Sequence, residues 1–174
     1  MKISKLGLDL IKHFEGLHDG DLSEIGLQPK QDPVGIWTVG YGRALKDLSG
    51  NWLMGETDKQ LAYDMYPSLT ENDALLMLDE DCNIYENRVN SLGLELLQYQ
   101  FDSLVSFAYN VGFANLKTST LLKYIKAKET DENIMWAFGL WNKARVKGVL
   151  RPLPGLTKRR KAEAELFLTG KLIF

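Results

Sequence analysis

The spacing of apolar residues along the chain predicts six helices. Over residues 4–15, Leu6, Leu10, Ile11 and Phe14 recur at helical intervals, with Ser4 placed as the N-cap and Gly16 where a left-handed residue ends a helix. The other helices are predicted at residues 70–90, 98–111, 118–127, 131–144 with Thr130 as cap, and 156–168. Residues 98–111 carry a continuous apolar stripe and form the candidate core helix, with Phe101 and Phe107 as core side chains.

Extended structure is predicted in one place. Residues 36–41 are rich in β-branched and aromatic side chains and predict a short strand. Directly before them, Asp32-Pro33-Val34-Gly35 has the composition of a type I turn. The helical period is lost between Ala44 and Pro67, which predicts the remainder of a hairpin and a loop. Residues 145–154 are basic, contain proline and predict a surface loop.

These elements predict a mostly helical α+β fold with one domain over residues 1–174. We expect a small β-hairpin lobe at about residues 17–67 and a larger helical lobe at about residues 68–174, to which the N-terminal helix belongs. A cleft between the two lobes is the expected place for a site.

Composition is that of an ordinary globular chain. Of its 174 residues, 45% are hydrophobic and 25% charged, and no run approaches the ~18 uncharged apolar residues of a membrane span. We therefore expect neither a membrane span nor a signal peptide. The single cysteine, Cys82, allows no internal disulfide, which suits a reducing cytosol. Cys82 lies on the apolar face of the 70–90 helix and is expected to pack there rather than act as a nucleophile.

Charge is unevenly distributed around a net value of −2. Residues 141–174 hold nine Lys or Arg against two Glu, so residues 1–140 carry a net charge of −9. Two interpretations stay open: the basic end attracts an anionic wall polymer or lipid, or it is a solvated helix face. No base-reading motif accompanies these charges, and nucleic-acid binding is not expected.

Two carboxylates are placed for acid/base chemistry. Glu15 ends the first helix beside Phe14, where the helix dipole and the apolar neighbour both favour a protonated carboxyl group that can donate its proton. Asp32 opens a solvated turn and is expected to be ionised, and the Thr38 hydroxyl can hold a water molecule against it. One acid and one base is the arrangement that glycoside hydrolysis requires. The alternative is a surface glutamate and an ordinary turn.

Four segments together resemble the phage-type lysozymes, or endolysins, of glycoside hydrolase family 24. They are the Glu15-Gly16 helix end, residues 32–42 (DPVGIWTVGYG), residues 100–112 (QFDSLVSFAYNVG) and residues 153–160 (LPGLTKRR). The resemblance covers nearly the whole chain, and the motifs occur in the family's order. It implies that Glu15, Asp32 and Thr38 are the catalytic Glu, Asp and Thr. It also implies cleavage of the β-1,4 bond between N-acetylmuramic acid and N-acetylglucosamine with no metal or cofactor.

The chain departs from the family pattern in two places. About eight additional residues separate the Glu from the Asp, which predicts an enlarged loop at residues 18–31 that borders the cleft. This loop holds Asp19, Asp21 and Glu24, each of which competes with Asp32 as the candidate base. Arg43 stands where the family commonly has His, which puts a His-dependent buried ion pair in doubt.

Three further residues are candidate members of the site. Trp37 and Tyr41 either stack on a sugar ring or pack in the core. By resemblance, the last helix packs behind the acid, so that Arg159, in preference to Arg160, can hold the Glu15 carboxylate. The alternative is two arginines on a solvated helix face.

The resemblance implies an inverting muramidase that acts on peptidoglycan glycan strands as a monomer. It is expected to be made in the host bacterial cytoplasm and to reach the cell wall after release by another factor. One alternative is a non-catalytic peptidoglycan-binding or scaffold module with the same fold. Another is a lytic transglycosylase, which uses a lone Glu and is disfavoured by the Asp32 and Thr38 pair.

Overall fold

A computed structural model describes residues 1–21, 23–146 and 148–174. Within these residues the chain forms eight helices and five short strands. The helices are α1 (Lys5–Glu15), α2 (Lys59–Met65), α3 (Glu71–Asn90), α4 (Gln98–Val111), α5 (Phe113–Thr118), α6 (Thr120–Ala127), α7 (Asp131–Gly139) and α8 (Pro154–Thr169). The prediction of a mostly helical α+β protein is confirmed.

The strands form two separate antiparallel sheets. β1 (Lys30–Gln31), β2 (Trp37–Val39) and β3 (Arg43–Ala44) pair in the order β1-β2-β3. β4 (Lys143–Val146) and β5 (Val149–Pro152) form a two-stranded hairpin.

The chain divides into two compact units. Residues 15–81 form what we call the small unit, and residues 1–14 with residues 82–174 form the large unit. Helix α3 contributes residues 71–81 to the first and residues 82–90 to the second. The lobe limits expected from the sequence stay a prediction.

The core of the large unit is built on α4, which packs against α8. Residues 101–108 of α4 are all buried, and Phe107 contacts Phe138 edge to face at 5.5 Å between ring centroids. The prediction that residues 98–111 form the core helix, with Phe101 and Phe107 in the core, is therefore confirmed. Cys82 is fully buried as well.

Helix α1 is held to the large unit at its first turn. The Ser4 hydroxyl accepts a hydrogen bond from the Leu6 N–H (3.2 Å), which confirms the predicted cap. The buried Asp102 carboxylate accepts the Ser4 N–H at 2.9 Å. A side chain at Gly7 would place its Cβ only 2.6 Å from Ile3 Cγ1 and 2.8 Å from Asp102 Cβ, so this close approach requires glycine.

In the small unit, the central strand β2 packs close to the start of α3. The three residues of β2 are buried. Gly40, at φ +58°, lies so near Ala74 that an added Cβ would be 3.0 Å from the Ala74 Cβ. Thr70 and Asp73 exchange side-chain to backbone hydrogen bonds at 2.9 and 3.1 Å, which form a capping box at the start of this helix.

Two predictions from local pattern are wrong. The helix predicted to Ala144 ends at Gly139, and residues 143–146 pair with residues 149–152 as a hairpin where a helix end and a loop were predicted. The hairpin is closed at its base by the Leu153 N–H, which donates to the Asn142 carbonyl at 2.9 Å. Helix propensity in this segment is overridden by cross-strand pairing, which depends on partners that the periodicity of a single segment does not show.

Short helices also lie where none was predicted. Helix α2 lies within the predicted loop at residues 44–67, and α5 precedes α6. The start of α6 is set by Ser119, whose hydroxyl accepts the Leu122 N–H at 3.0 Å. No helix in the described part of the chain is both long enough and apolar enough to cross a membrane.

Candidate active site

Glu15 is the last residue of α1. Gly16 follows with φ +72°, the left-handed conformation predicted for it, and ends the helix. Glu15 is partly exposed. The end of an amphipathic helix thus fixes the backbone that carries the predicted acid.

Asp32 opens the turn between β1 and β2. The Gly35 N–H donates to the Asp32 carbonyl at 3.0 Å, as the turn prediction requires. The Asp32 Oδ1 accepts hydrogen bonds from the Val34 and Ile36 N–H groups, each at 2.9 Å. These bonds fix the orientation of the side chain through Oδ1. Neither bond involves Oδ2, which can therefore contact water.

Thr38 lies on β2, and its side chain shares a face of the hairpin with Asp32. Lys30 pairs with Thr38, and the Asp32 N–H donates to the Ile36 carbonyl at 2.8 Å, so Asp32 and Thr38 are diagonal neighbours across the strands. Diagonal neighbours of this kind lie ~7–8 Å apart. The Thr38 hydroxyl donates to the Lys30 carbonyl at 2.9 Å, and the residue is only 5% exposed.

His18 is a neighbour of this group that the sequence did not indicate. The backbone N–H of His18 donates to the Gly40 carbonyl at 2.7 Å. This bond joins the enlarged loop to the residue that follows β2. The imidazole Nδ1 then lies 3.4 Å from the Thr38 hydroxyl oxygen. Because twenty residues separate His18 from Thr38 in the chain, no local pattern could place them together.

Two of the three competing carboxylates in the enlarged loop, Asp19 and Asp21, accept hydrogen bonds within the loop. Asp19 Oδ1 accepts the N–H groups of Asp21 and Gln28, both at 3.3 Å. Asp21 Oδ1 accepts the Ser23 hydroxyl at 2.5 Å and the Ser23 N–H at 3.0 Å, and these bonds hold the pKa of Asp21 below its usual value. Asp32 also braces a turn, but it shares its hairpin face with a threonine.

Trp37 and Tyr41 are both buried, with 6% and 5% of their surface exposed. The Trp37 Nε1–H donates to the Gly55 carbonyl at 2.7 Å, and its ring meets Tyr63 edge to face at 5.9 Å. The Tyr41 hydroxyl lies 3.3 Å from Glu71 Oε1. This burial favours the packing role for both rings, and sugar stacking stays a prediction.

Arg43, at the position where the family commonly has His, forms an ion pair with α3. Its Nε donates to Asp81 Oδ2 at 3.0 Å, and its Nη2 lies 2.9 Å from Asp81 Oδ1. Nη2 also donates to the Met77 carbonyl at 2.5 Å. An arginine therefore supplies an ion pair here that does not depend on histidine protonation.

Arg159 and Arg160 are buried in the large unit, so the alternative of a solvated face is wrong. Arg159 Nε donates to the fully buried Glu163 carboxylate at 3.1 Å, and its guanidinium carbon lies 5.7 Å from the centre of the Phe14 ring. Arg160 contacts the same carboxylate and donates to Asn110 Oδ1 at 3.1 Å. Arg159 is thus placed beside the residue that precedes Glu15.

Comparison with known proteins agrees with the resemblance. Residues 12–163 match the sequence profile of the family described as Phage lysozyme. The endolysin of Acyrthosiphon pisum secondary endosymbiont phage 1 is 34% identical over 168 residues, which cover 96% of this chain and 98% of that protein. The endolysin of Bacillus phage B103 is 36% identical over 98% of this chain, which spans 56% of that longer relative.

Solved structures give the same result. An endolysin from Escherichia coli O157:H7 phage FAHEc1 is 31% identical with a TM-score of 0.78, over 100% of this chain and 98% of that chain. The muramidase domain of SpmX from Asticaccaulis excentricus is 32% identical with a TM-score of 0.73, over 97% and 98% of the two chains. Because the family profile matches most of the chain and these relatives share its fold, the chain belongs to the phage lysozyme family of glycoside hydrolases.

Proposed function

We propose that this protein is an endolysin that hydrolyses the β-1,4 bond between N-acetylmuramic acid and N-acetylglucosamine in bacterial peptidoglycan. Glu15 acts as the general acid and protonates the departing glycosidic oxygen. Asp32 acts as the general base on a water molecule, which Thr38 helps to hold. Glycan strands are its substrate.

One observation carries the assignment of the base. Asp32 and Thr38 share a hairpin face, and the turn holds the Asp32 carboxylate through Oδ1. Oδ2 can then take a proton from a water molecule that also contacts the threonine hydroxyl, which has acceptor capacity beside the hydrogen bond that it donates to Lys30. A base that activates water on the far side of the sugar ring gives inversion, and that mechanism needs carboxyl groups ~6.5–9.5 Å apart.

Arg159 is the proposed positioning residue for the acid. Its location beside Phe14 supports this role, since Glu15 is the next residue in the chain. A guanidinium group that hydrogen-bonds the carboxylate would select one rotamer for proton transfer. The proposed route to the wall, release of the protein from the host cytoplasm by another factor, stays a prediction.

The test of the function is the Glu15→Gln variant on purified peptidoglycan. An amide cannot protonate the leaving group, so the rate of release of new reducing ends should fall on the order of 10²–10⁴-fold with an unchanged thermal melt. Glu24→Gln, which removes the same charge from the exposed loop, is the matched control and should retain the wild-type rate.

Retention of more than about a tenth of the rate by Glu15→Gln would contradict the acid assignment. A wild-type protein that binds peptidoglycan and releases no fragments would instead support the scaffold alternative. A product with a 1,6-anhydro end, recognised by its mass, would identify a lytic transglycosylase.

A further inference from the structure

The β4–β5 hairpin of the large unit exposes apolar side chains near its turn. Val146, Val149 and Leu150 are 39%, 52% and 57% exposed. Val146 and Val149 form the pair closest to the turn, and Leu150 pairs with Arg145 one step further along. Exposure of three neighbouring aliphatic side chains is unfavourable in water and indicates a surface that contacts something apolar.

Basic residues surround this apolar tip. Arg145 and Arg151 each adjoin a residue of the tip in the chain, and Lys143 begins β4 three residues before Val146. At a rise of ~3.4 Å per residue, the basic side chains lie within about 10 Å of the tip along the strands. The hairpin therefore has an apolar end and a cationic shaft.

The surrounding sequence contains no carboxylate to neutralise these charges. From Asn133 to Ala162 the chain has eight Lys or Arg and not one Asp or Glu. The large unit as a whole holds seventeen Lys or Arg against nine Asp or Glu, a net charge of +8. A partner of this surface is therefore anionic.

We propose that the β4–β5 hairpin binds the surface of an anionic phospholipid bilayer. Apolar side chains of a membrane-surface element enter ~5–10 Å into the boundary between headgroups and acyl chains, while Lys and Arg meet the phosphates above it. The tip of the hairpin supplies the apolar side chains, and the shaft supplies the Lys and Arg residues. A soluble polyanion can pair with the basic residues, but it provides no apolar region in which Val146, Val149 and Leu150 would be buried.

The hairpin is pre-formed for this contact. Its base is closed by the Leu153 N–H and the Asn142 carbonyl, and Arg145 Nη1 donates to the Gly148 carbonyl at 3.1 Å across the turn. Gly148 has φ +80°, a conformation that glycine adopts without strain. Little ordering is therefore needed on binding, which favours a membrane contact by so small an element.

The test is sedimentation of the intact protein with vesicles. One set contains phosphatidylcholine alone, and the other an equimolar mixture of phosphatidylglycerol and phosphatidylcholine. We expect the wild-type protein to bind the mixed vesicles only. The double variant Arg145→Gln/Arg151→Gln should lower the partition coefficient about 25-fold, roughly fivefold per charge. The double variant Val149→Ser/Leu150→Ser should lower it at least about tenfold.

Control variants carry the same changes elsewhere on the large unit. Lys123→Gln/Lys126→Gln removes two exposed charges from α6, and Ile84→Ser removes an apolar side chain that is 57% exposed on α3. Both should bind the mixed vesicles within about threefold of wild type. Thermal melts of every variant establish that it is folded.

A second probe distinguishes binding to lipid from binding to a soluble phosphate polymer. Soluble poly(glycerol phosphate) has the charges without acyl chains, so its binding should depend on the arginines and not on Val149 and Leu150. If Val149→Ser/Leu150→Ser binds the mixed vesicles as wild type does, the hairpin senses phosphate alone and the proposal is overturned. Equal losses in the control variants, or an absence of wild-type binding to the mixed vesicles, would overturn it as well.

Discussion

At the scale of single residues, Asp32 combines two roles that reside on different oxygens. Oδ1 accepts two backbone N–H groups and stabilises the turn, and Oδ2 is the proposed base. Asparagine keeps a carbonyl oxygen for the first role and loses the second. Asp32→Asn therefore tests the loss of the base with the turn intact, whereas Asp32→Ala would remove both.

We expect Asp32→Asn to lower the rate of peptidoglycan hydrolysis on the order of 10²–10⁴-fold, because the amide cannot take a proton from water. The thermal midpoint should change by only a few degrees. The measurement is release of reducing ends together with a thermal melt.

Asp21→Asn is the matched control, since Asp21 likewise accepts hydrogen bonds from a residue two positions further on, Ser23. This variant should keep the wild-type rate. An inactive Asp21→Asn protein beside an active Asp32→Asn protein would move the base to the enlarged loop.

At the scale of elements, α8 is joined to α4 by a buried ionic cluster. Arg159, Arg160 and Glu163 of α8 are each at most 3% exposed, and the Ser106 hydroxyl of α4 donates to Glu163 Oε1 at 2.8 Å. Arg160 Nε lies 2.9 Å from Glu163 Oε2. The Glu163 carboxylate thus contacts two guanidinium groups that have lost most of their hydration.

Glu163→Gln should therefore lower the free energy of unfolding by roughly 3–5 kcal/mol, because the amide removes a counter-charge from two buried guanidinium groups. Urea denaturation at neutral pH measures the change. Glu165→Gln removes the same charge two residues along the same helix and should change stability by about 0.5 kcal/mol or less. Equal stability of the two variants would show that the cluster contributes little.

At the scale of the whole molecule, charge is divided between the two compact units. The small unit holds four Lys or Arg against fourteen Asp or Glu, a net charge of −10, while the large unit carries +8. The net charge of the whole protein is only −2 because the charges of the two units nearly cancel. We therefore expect the two units to respond differently to pH and salt.

Several carboxylates of the small unit are stabilised in their ionised form. Hydrogen bonds from Ser23, Asn51 and Thr70 hold the pKa values of Asp21, Asp47 and Asp73 below the usual 3.8. Each lowered pKa contributes stability that is fully present well above pH 3.8 and is lost as the pH falls through the folded-state pKa.

We expect the thermal midpoint to be nearly constant above about pH 5 and to fall below about pH 4. Protonation also relieves the repulsion within the −10 unit, which would raise stability, so the titration is performed near 1 M salt, where the Debye length is about 3 Å. Hydrogen exchange should show earlier loss of protection in residues 15–81. A midpoint that rises on acidification at high salt would contradict this account.

Local features of the fold and of the candidate site were determined by the sequence alone. The cap at Ser4, the end of α1 at Gly16, the stripe of α4 and the turn at Asp32 all depend on residues within a few positions of one another. The same holds for the spacing of Asp32 and Thr38, which the family resemblance then connected with Glu15. Periodicity and turn chemistry are local properties, so a single sequence is enough to predict them.

Only the tertiary structure decided the features that join distant segments. It buried Trp37 and Tyr41, brought His18 to Thr38, and paired residues 143–146 with residues 149–152 where a helix end and a loop were expected. It also enclosed Arg159 and Arg160 around Glu163, although basic residues usually lie at the surface. Burial and cross-strand pairing depend on which surfaces meet after folding, and the free energy of those contacts exceeds local preference.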